Sequence, residues 1–196
     1  MEARERQLVL EQLVASEARL LGLVDRLTAA QWWFREAAGR WSIAENVEHL
    51  IVFEGFIRGA VMRALEGPAE VEKMAGAAAK EGLVLGLAGS RGVRLNAREA
   101  LQPVGRWVDM GEMVAEFRKT RARTVAFVEG VQGDLRGHFF PHIAFGDLDC
   151  YQWLVAVGQH SMRHALQIEE IKASAGYPVG SCTAHRGNTE IPASPE

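Results

Sequence analysis

The chain has 196 residues, 48% of them apolar and 24% charged, with a net charge of −3 and a pI near 6.1. That suits one domain with a full core, and wholesale disorder is not expected. Nucleic-acid binding is not expected, because the densest basic stretch (Arg118, Lys119, Arg121 and Arg123) alternates with apolar residues at helical spacing and reads as a solvated helix face.

The first helix is expected from about residue 4 to 27, where Leu10, Leu13, Val14, Leu20, Leu21, Val24 and Leu27 recur on one side. The charged start, Met1 to Arg6, leads into this amphipathic run and not into a signal sequence. No apolar run is long enough to span a membrane, so the expected compartment is the cytoplasm. Thr28 and Gln31 have the spacing of a capping box, which predicts a short turn of helix carrying Trp32, Trp33 and Phe34.

Ser42 and Glu45 form a second such box, so the next long helix should begin at Ile43 and run to about Leu65, before Gly67-Pro68. Its inner side carries two rows. One is Ile43, Val47, Leu50, Glu54 and Ile57; the other is Asn46, His49, Phe53, Phe56 and Ala60. Residues 66–108 are rich in Ala and Gly and should cross the bundle with one or two short helices. The Gly-rich stretch from Gly86 to Gly92 lacks the Gly-Lys-Ser/Thr ending of a phosphate-cradling loop.

A third long helix is expected after Asp109, with Glu112 three residues on, ending near Gly130 or Gly133. A loop containing Phe139-Phe140-Pro141-His142 follows, and Gly146-Asp147 is expected to cap the fourth helix, which runs to about Ala175. Gly176 and Pro178 stop it. Residues 1–176 then form one domain and 177–196 a loose tail. No strand is expected. Four long helices with one long crossover between the second and third give an all-α four-helix bundle.

The fourth helix carries the sharpest signal. Trp153, Val157, His160, His164, Ile168 and Ile171 advance in steps of 4, 3, 4, 4 and 3, which averages 3.6 and describes one helix face. His160 and His164 therefore face the core about 6 Å apart along the axis. His49 independently occupies an inner row of the second helix. Three imidazoles in an apolar interior need partners, and a divalent metal ion binds them in neutral form. His138, His142 and His185 are read as surface or loop residues, and the pattern of a di-iron carboxylate site (Glu-x-x-His on two helices) is absent. Cys150 and Cys182 stand in no metal or redox spacing. For the second shell, Glu45, one turn before His49, and Gln167, three residues beyond His164, are the candidates.

Trp41-Ser42-Ile43-Ala44-Glu45-Asn46-Val47-Glu48-His49-Leu50 resembles the first signature of the DinB/YfiT-like superfamily, and His160-Ser161-Met162-Arg163-His164-Ala165-Leu166-Gln167-Ile168 resembles the second. The resemblance spans roughly residues 5–175. It implies a bundle with up-up-down-down topology, frequent homodimers, and one divalent ion, zinc or nickel foremost, held by His49, His160 and His164. It also implies a metal-dependent S-transferase that joins a low-molecular-weight thiol to a small electrophilic substrate. Two alternatives stand beside it: a metal-dependent hydrolase, and a non-catalytic metal-stabilised bundle or small-molecule sensor. Three neutral ligands leave a coordination position open, where an ion lowers the pKa of water to about 7 or holds a thiol as thiolate.

Overall fold

The structure, a computed structural model, describes residues 1–89 and 98–179. Cys182, His185, part of the Gly-rich stretch and nearly all of the expected tail lie outside the described residues. Four long helices carry the fold: α1 (Ala3–Val24), α3 (Ile43–Leu65), α6 (Met110–Gly130) and α7 (Cys150–Ala173). Between them lie three short helices: α2 (Ala29–Trp32), α4 (Met74–Ala78) and α5 (Glu81–Leu85). Both sequence-predicted capping boxes form. The Thr28 side chain accepts from the Gln31 amide at the start of α2, and Ser42 accepts from Glu45 at the start of α3. Each satisfies amide donors that the first helical turn leaves unpaired.

Each of α1 and α3 packs against both α6 and α7. Cross-helix contacts give the directions. Gln12 meets Gly158 and Arg19 meets Glu169, so α1 and α7 run parallel. Arg121 reaches Leu13 while Arg6 bonds carbonyls at the far end of α6, so α1 and α6 run antiparallel. Asn46 pairs with His164 and His49 with His160, so α3 opposes α7. The chain order is therefore up-down-down-up. The bundle expected from the sequence, with its single long crossover between the second and third long helices, is the one observed. The up-up-down-down order is corrected, because that order needs two long crossovers and this chain has one.

Three further expectations are revised. Phe139–His142 and Gly146–Asp149 form an antiparallel two-stranded ribbon, β1 and β2, with Phe139 opposite Asp149 and His142 opposite Gly146. Gly146 takes a φ of 65° at the end of the three-residue connection, a left-handed position that glycine adopts without steric cost. Pro141 sits in a two-stranded ribbon, where it need not break a central ladder. The cap of α7 is consequently Asp149, whose side chain accepts from the Gln152 amide, and not Asp147, which the ribbon occupies. Finally, the first two residues of the expected tail touch the bundle, where Tyr177 packs edge-on against Phe34 and Gln31 donates to the Pro178 carbonyl, while Val179 is exposed.

Two apolar clusters fill the bundle. One, around Leu13, Ile57, Val128 and Leu154, lies toward the ribbon; the other, around Leu20, Ile43, Phe117 and Ile168, lies toward α2. A buried polar layer falls between them in sequence position on every long helix, made of Ser16, Glu54, Arg121 and Ser161. The Arg121 guanidinium bonds both oxygens of Glu54, the Leu13 carbonyl and the hydroxyls of Ser16 and Ser161. Arg121 is wholly buried, which corrects its reading as part of a solvated face; its neighbours Arg118, Lys119 and Arg123 remain exposed. One long side chain thus ties all four helices together.

The helices α1 and α7 approach closely at Gly158. A Cβ there would stand 2.9 Å from the Gln12 Cβ and 3.3 Å from its backbone carbon. Gly158→Ala should therefore lower stability by about 1–3 kcal/mol through overpacking, which outweighs a helix-propensity gain of at most about 1 kcal/mol. A melting temperature equal to or above that of the parent would show that the two helices can part freely.

Candidate metal centre

The predicted rows place His49 on α3 and His160 and His164 on α7, and the antiparallel packing of those helices brings the three together. Their ligand nitrogens lie within 4.8 Å of one another. The His160 Nε2 is 2.9 Å from the Nε2 of His49 and 3.2 Å from that of His164. His49 and His164 are 3% and 4% exposed, while His160 opens toward a cavity. Trp41 lies nearly parallel to His164 and tilted over His49, and Phe53 covers His160 at 4.0 Å between centroids. Aromatic walls thus limit how the rings can turn.

The far nitrogens fix the near ones. His49 Nδ1 lies 2.7 Å from the Leu101 carbonyl, and His164 Nδ1 lies 2.7 Å from Asn46 Oδ1. Both partners can only accept, so each Nδ1 carries the proton and each Nε2 of a neutral ring presents a bare lone pair. Burial pushes His49 and His160 down from the usual histidine range, keeping both neutral near pH 7. Three imidazole nitrogens therefore converge with, at most, one proton on the His160 Nε2 to share between two lone pairs. A cation between them satisfies all three. Nitrogens about 2.0–2.1 Å from a tetrahedral ion stand roughly 3.3 Å apart, close to the two separations observed. The donors fit a divalent metal ion.

The orienting partners differ from those expected. Glu45 is held by Arg35 at 2.6 Å and by the Ser42 amide, away from His49. Its place is taken by the Leu101 carbonyl, at the end of a 3₁₀ turn (Glu99–Leu101) in the crossover. Gln167 lines the cavity without orienting His164; that role falls to Asn46. Asn46 was visible in the inner row, three residues before His49, as an amide with no other reason to face the core. The Leu101 carbonyl had no sequence signal. It is positioned by Glu48, a fully buried carboxylate that accepts the amides of Val104, Gly105 and Arg106 and the Arg106 side chain. Gly105 permits this loop with a φ of 78°.

The cavity above the histidines has a volume of about 700 Å³, within the ~300–1,000 Å³ usual for small-molecule sites. His142, expected as a loop residue, lies on β1 and forms part of its wall, stacked against Phe145 and packed on Trp153. Its Nδ1 accepts the Ala144 and Phe145 amides, and burial, assisted by the charge of Arg98, pushes it down to about 4. His138 is a half-buried residue whose ring is bonded to the carbonyls of Asp134 and Gly67, apart from the three clustered histidines. Cys150 begins α7 but is buried, and desolvation raises its thiol to about 12, so it is packing and not a nucleophile.

Three histidines that stay neutral when folded have a consequence. An unfolded histidine titrates near pH 6.5, and His49, His142 and His160 titrate below that in the fold. Below about pH 6.5 the unfolded chain binds protons that the native state refuses, so stability falls as pH falls. The melting temperature of metal-free protein should decline between about pH 7 and pH 5, before the carboxylates titrate. A flat profile over that range would mean the rings are not desolvated as described.

The sequence model of the DinB superfamily matches residues 12–168. An uncharacterized protein of Bacillus subtilis strain 168, YuaE, is 27% identical over 138 residues, covering 70% of this chain and 81% of its own. Among solved structures, YfiT from Bacillus subtilis, described as a probable metal-dependent hydrolase with an unusual four-helix bundle topology, matches with a TM-score of 0.55 and 16% identity. That match covers 88% of this chain and 89% of YfiT, and it supports the fold. No helix among the described residues is long and apolar enough to cross a membrane.

Proposed function

From a chain that belongs to the DinB superfamily, we propose a metal-dependent enzyme in which His49, His160 and His164 hold one divalent ion, zinc or nickel, and a small thiol is transferred to an electrophilic substrate in the cavity above them. The observation that carries this reading is the convergence of three oriented nitrogens at a site that opens onto a cavity of about 700 Å³. A structural ion would be closed off by a fourth protein ligand, and among the described residues the cluster has three members.

The ion's contribution when bound is Lewis acidity, which makes a small thiol or a water more acidic. The chain's own residues do the rest. Leu101 and Asn46 keep the ligand rings aimed, which preserves both their tautomer and their basicity. Trp41, Phe53 and Trp153 give the cavity apolar walls that exclude water from a bound substrate. Hydrolysis is the second reading, suggested by the description of YfiT. Thiol transfer is preferred on one observation: among the described residues no carboxylate lines the cavity to serve as general base toward water.

Metal analysis of untagged protein should give one ion per chain, lost in His160→Ala. The loaded protein should then consume a small thiol in the presence of an electrophile, with hydrolysis of ester and amide substrates far slower. Turnover of those substrates without any thiol would establish the hydrolase reading instead. Stoichiometric metal with neither activity would leave a sensor or a structural centre.

A further inference from the structure

The two buried ligand rings lean on different kinds of partner. His164 is oriented by Asn46, a side chain of α3 inside the bundle. His49 is oriented by the Leu101 carbonyl, which belongs to the crossover 52 residues further along the chain. Residues 102 and 104–106 of that crossover are exposed. Glu48 ties them down. Its side chain is 2% exposed, and its carboxylate lies 2.8 Å from the Val104 amide, 3.0 Å from that of Gly105 and 3.3 Å from that of Arg106. The Arg106 guanidinium adds a fourth bond at 2.8 Å and also donates to the Gln102 carbonyl, closing the loop on itself. Three successive amides reach one carboxylate only from a curled backbone, and Gly105, at a φ of 78°, supplies the curl. Glu48 and His49 are neighbours on α3. One turn of helix therefore grips the loop twice, by a charge at residues 104–106 and by an imidazole at residue 101. Leu101 and Gln102 are also wall of the cavity.

We propose that Glu48 is a positioning residue that couples the crossover loop to the metal centre: it holds residues 101–106 closed, which keeps the Leu101 carbonyl on His49 Nδ1 and that side of the cavity in place. With the loop open, the His49 proton is free to move to Nε2, where it occupies the lone pair a ligand needs. The proposal rests on the reading of the three histidines as a metal centre. It adds a reciprocal effect, since coupling between two sites acts equally in both directions: fixing the His49 ring at Nε2 also steadies the loop.

The test uses the full chain, zinc, and the variant Glu48→Leu. The groups that lose their acceptor sit on exposed residues, where water can replace the carboxylate, so the variant is expected to fold; its melting temperature checks this. Nitrogen NMR of the zinc-free protein should find the His49 proton on Nδ1 in the parent and shared between both nitrogens in Glu48→Leu, with His164 the same in each. Zinc affinity, read by competition with a chromophoric chelator, should fall about 10–100-fold. Glu48→Gln, which keeps the size and one acceptor oxygen, should fall less. In the parent, zinc should slow hydrogen exchange at the amides of Val104, Gly105 and Arg106; in Glu48→Leu these amides should exchange fast with or without zinc. An unchanged His49 tautomer in Glu48→Leu would mean that burial of the Leu101 side chain alone holds the carbonyl, and overturns the proposal. So does equal disturbance of His49 and His164, which marks general damage to the bundle, or parent loop amides indifferent to zinc. Failure of the parent to bind zinc removes the metal reading, and with it the coupling, while the zinc-free spectra still decide whether Glu48 orients His49.

Discussion

Arg121→Met is expected to cost about 3–5 kcal/mol of folding stability, a large share of the ~5–15 kcal/mol that a domain possesses. The reason is the partner left behind. Glu54 is 1% exposed, and the Arg121 guanidinium supplies both of its ion-pair hydrogen bonds. The Ser16 and Ser161 hydroxyls already donate to the Leu13 and Val157 carbonyls of their own helices, so neither can turn its proton to Glu54 without breaking another bond. A buried carboxylate without donors is the outcome. Removing both charges together behaves differently, because the desolvation of the two groups offsets much of their attraction. Glu54→Leu/Arg121→Met should recover most of the loss. Chemical denaturation of the single and double variants reads both effects, and a double variant as unstable as the single one would show that the pair contributes more than its own desolvation costs.

Loss of the ion is the second large effect. A ligand present at a thousand times its dissociation constant stabilises the native state by about 4 kcal/mol, so chelation should lower the melting temperature by many degrees. His160→Ala should melt with the chelated parent and respond no further to chelator. Asn46→Leu separates orientation from ligation. It leaves all three ligands in place but takes the acceptor from His164 Nδ1, and metal affinity should fall about 10–100-fold without being abolished. Competition against a chromophoric chelator measures this. Unchanged affinity in Asn46→Leu would mean that packing by Trp41 alone holds the ring.

The parts legible in advance were those written in one helix at a time. The His160/His164 row has a period of 3.6, both capping boxes lie within four residues, and Glu54 stands in an apolar row. Each is a local pattern, because a helix repeats its geometry every turn. What was misread needed information from elsewhere in the chain. Arg121 sits among basic neighbours and looks solvated until Glu54, Ser16 and Ser161 arrive from three other helices. Glu45 has the right offset for His49, yet Arg35 takes its carboxylate first. His142 looked like loop because Pro141 forbids helix, and a ribbon of two short strands leaves too few residues for an alternating pattern to register.

Sequence alone thus determined the four long helices, the three inward histidines and the single crossover, since burial of an apolar face at helical spacing admits few other solutions. Tertiary structure decided the order of helix directions, the Leu101 carbonyl behind His49, the buried Glu54–Arg121 layer and the arginine-lined cavity. A backbone carbonyl, or a charge whose partner lies 67 residues away, leaves no mark on the periodicity of its own segment. Its role exists only once the chain has folded back on itself.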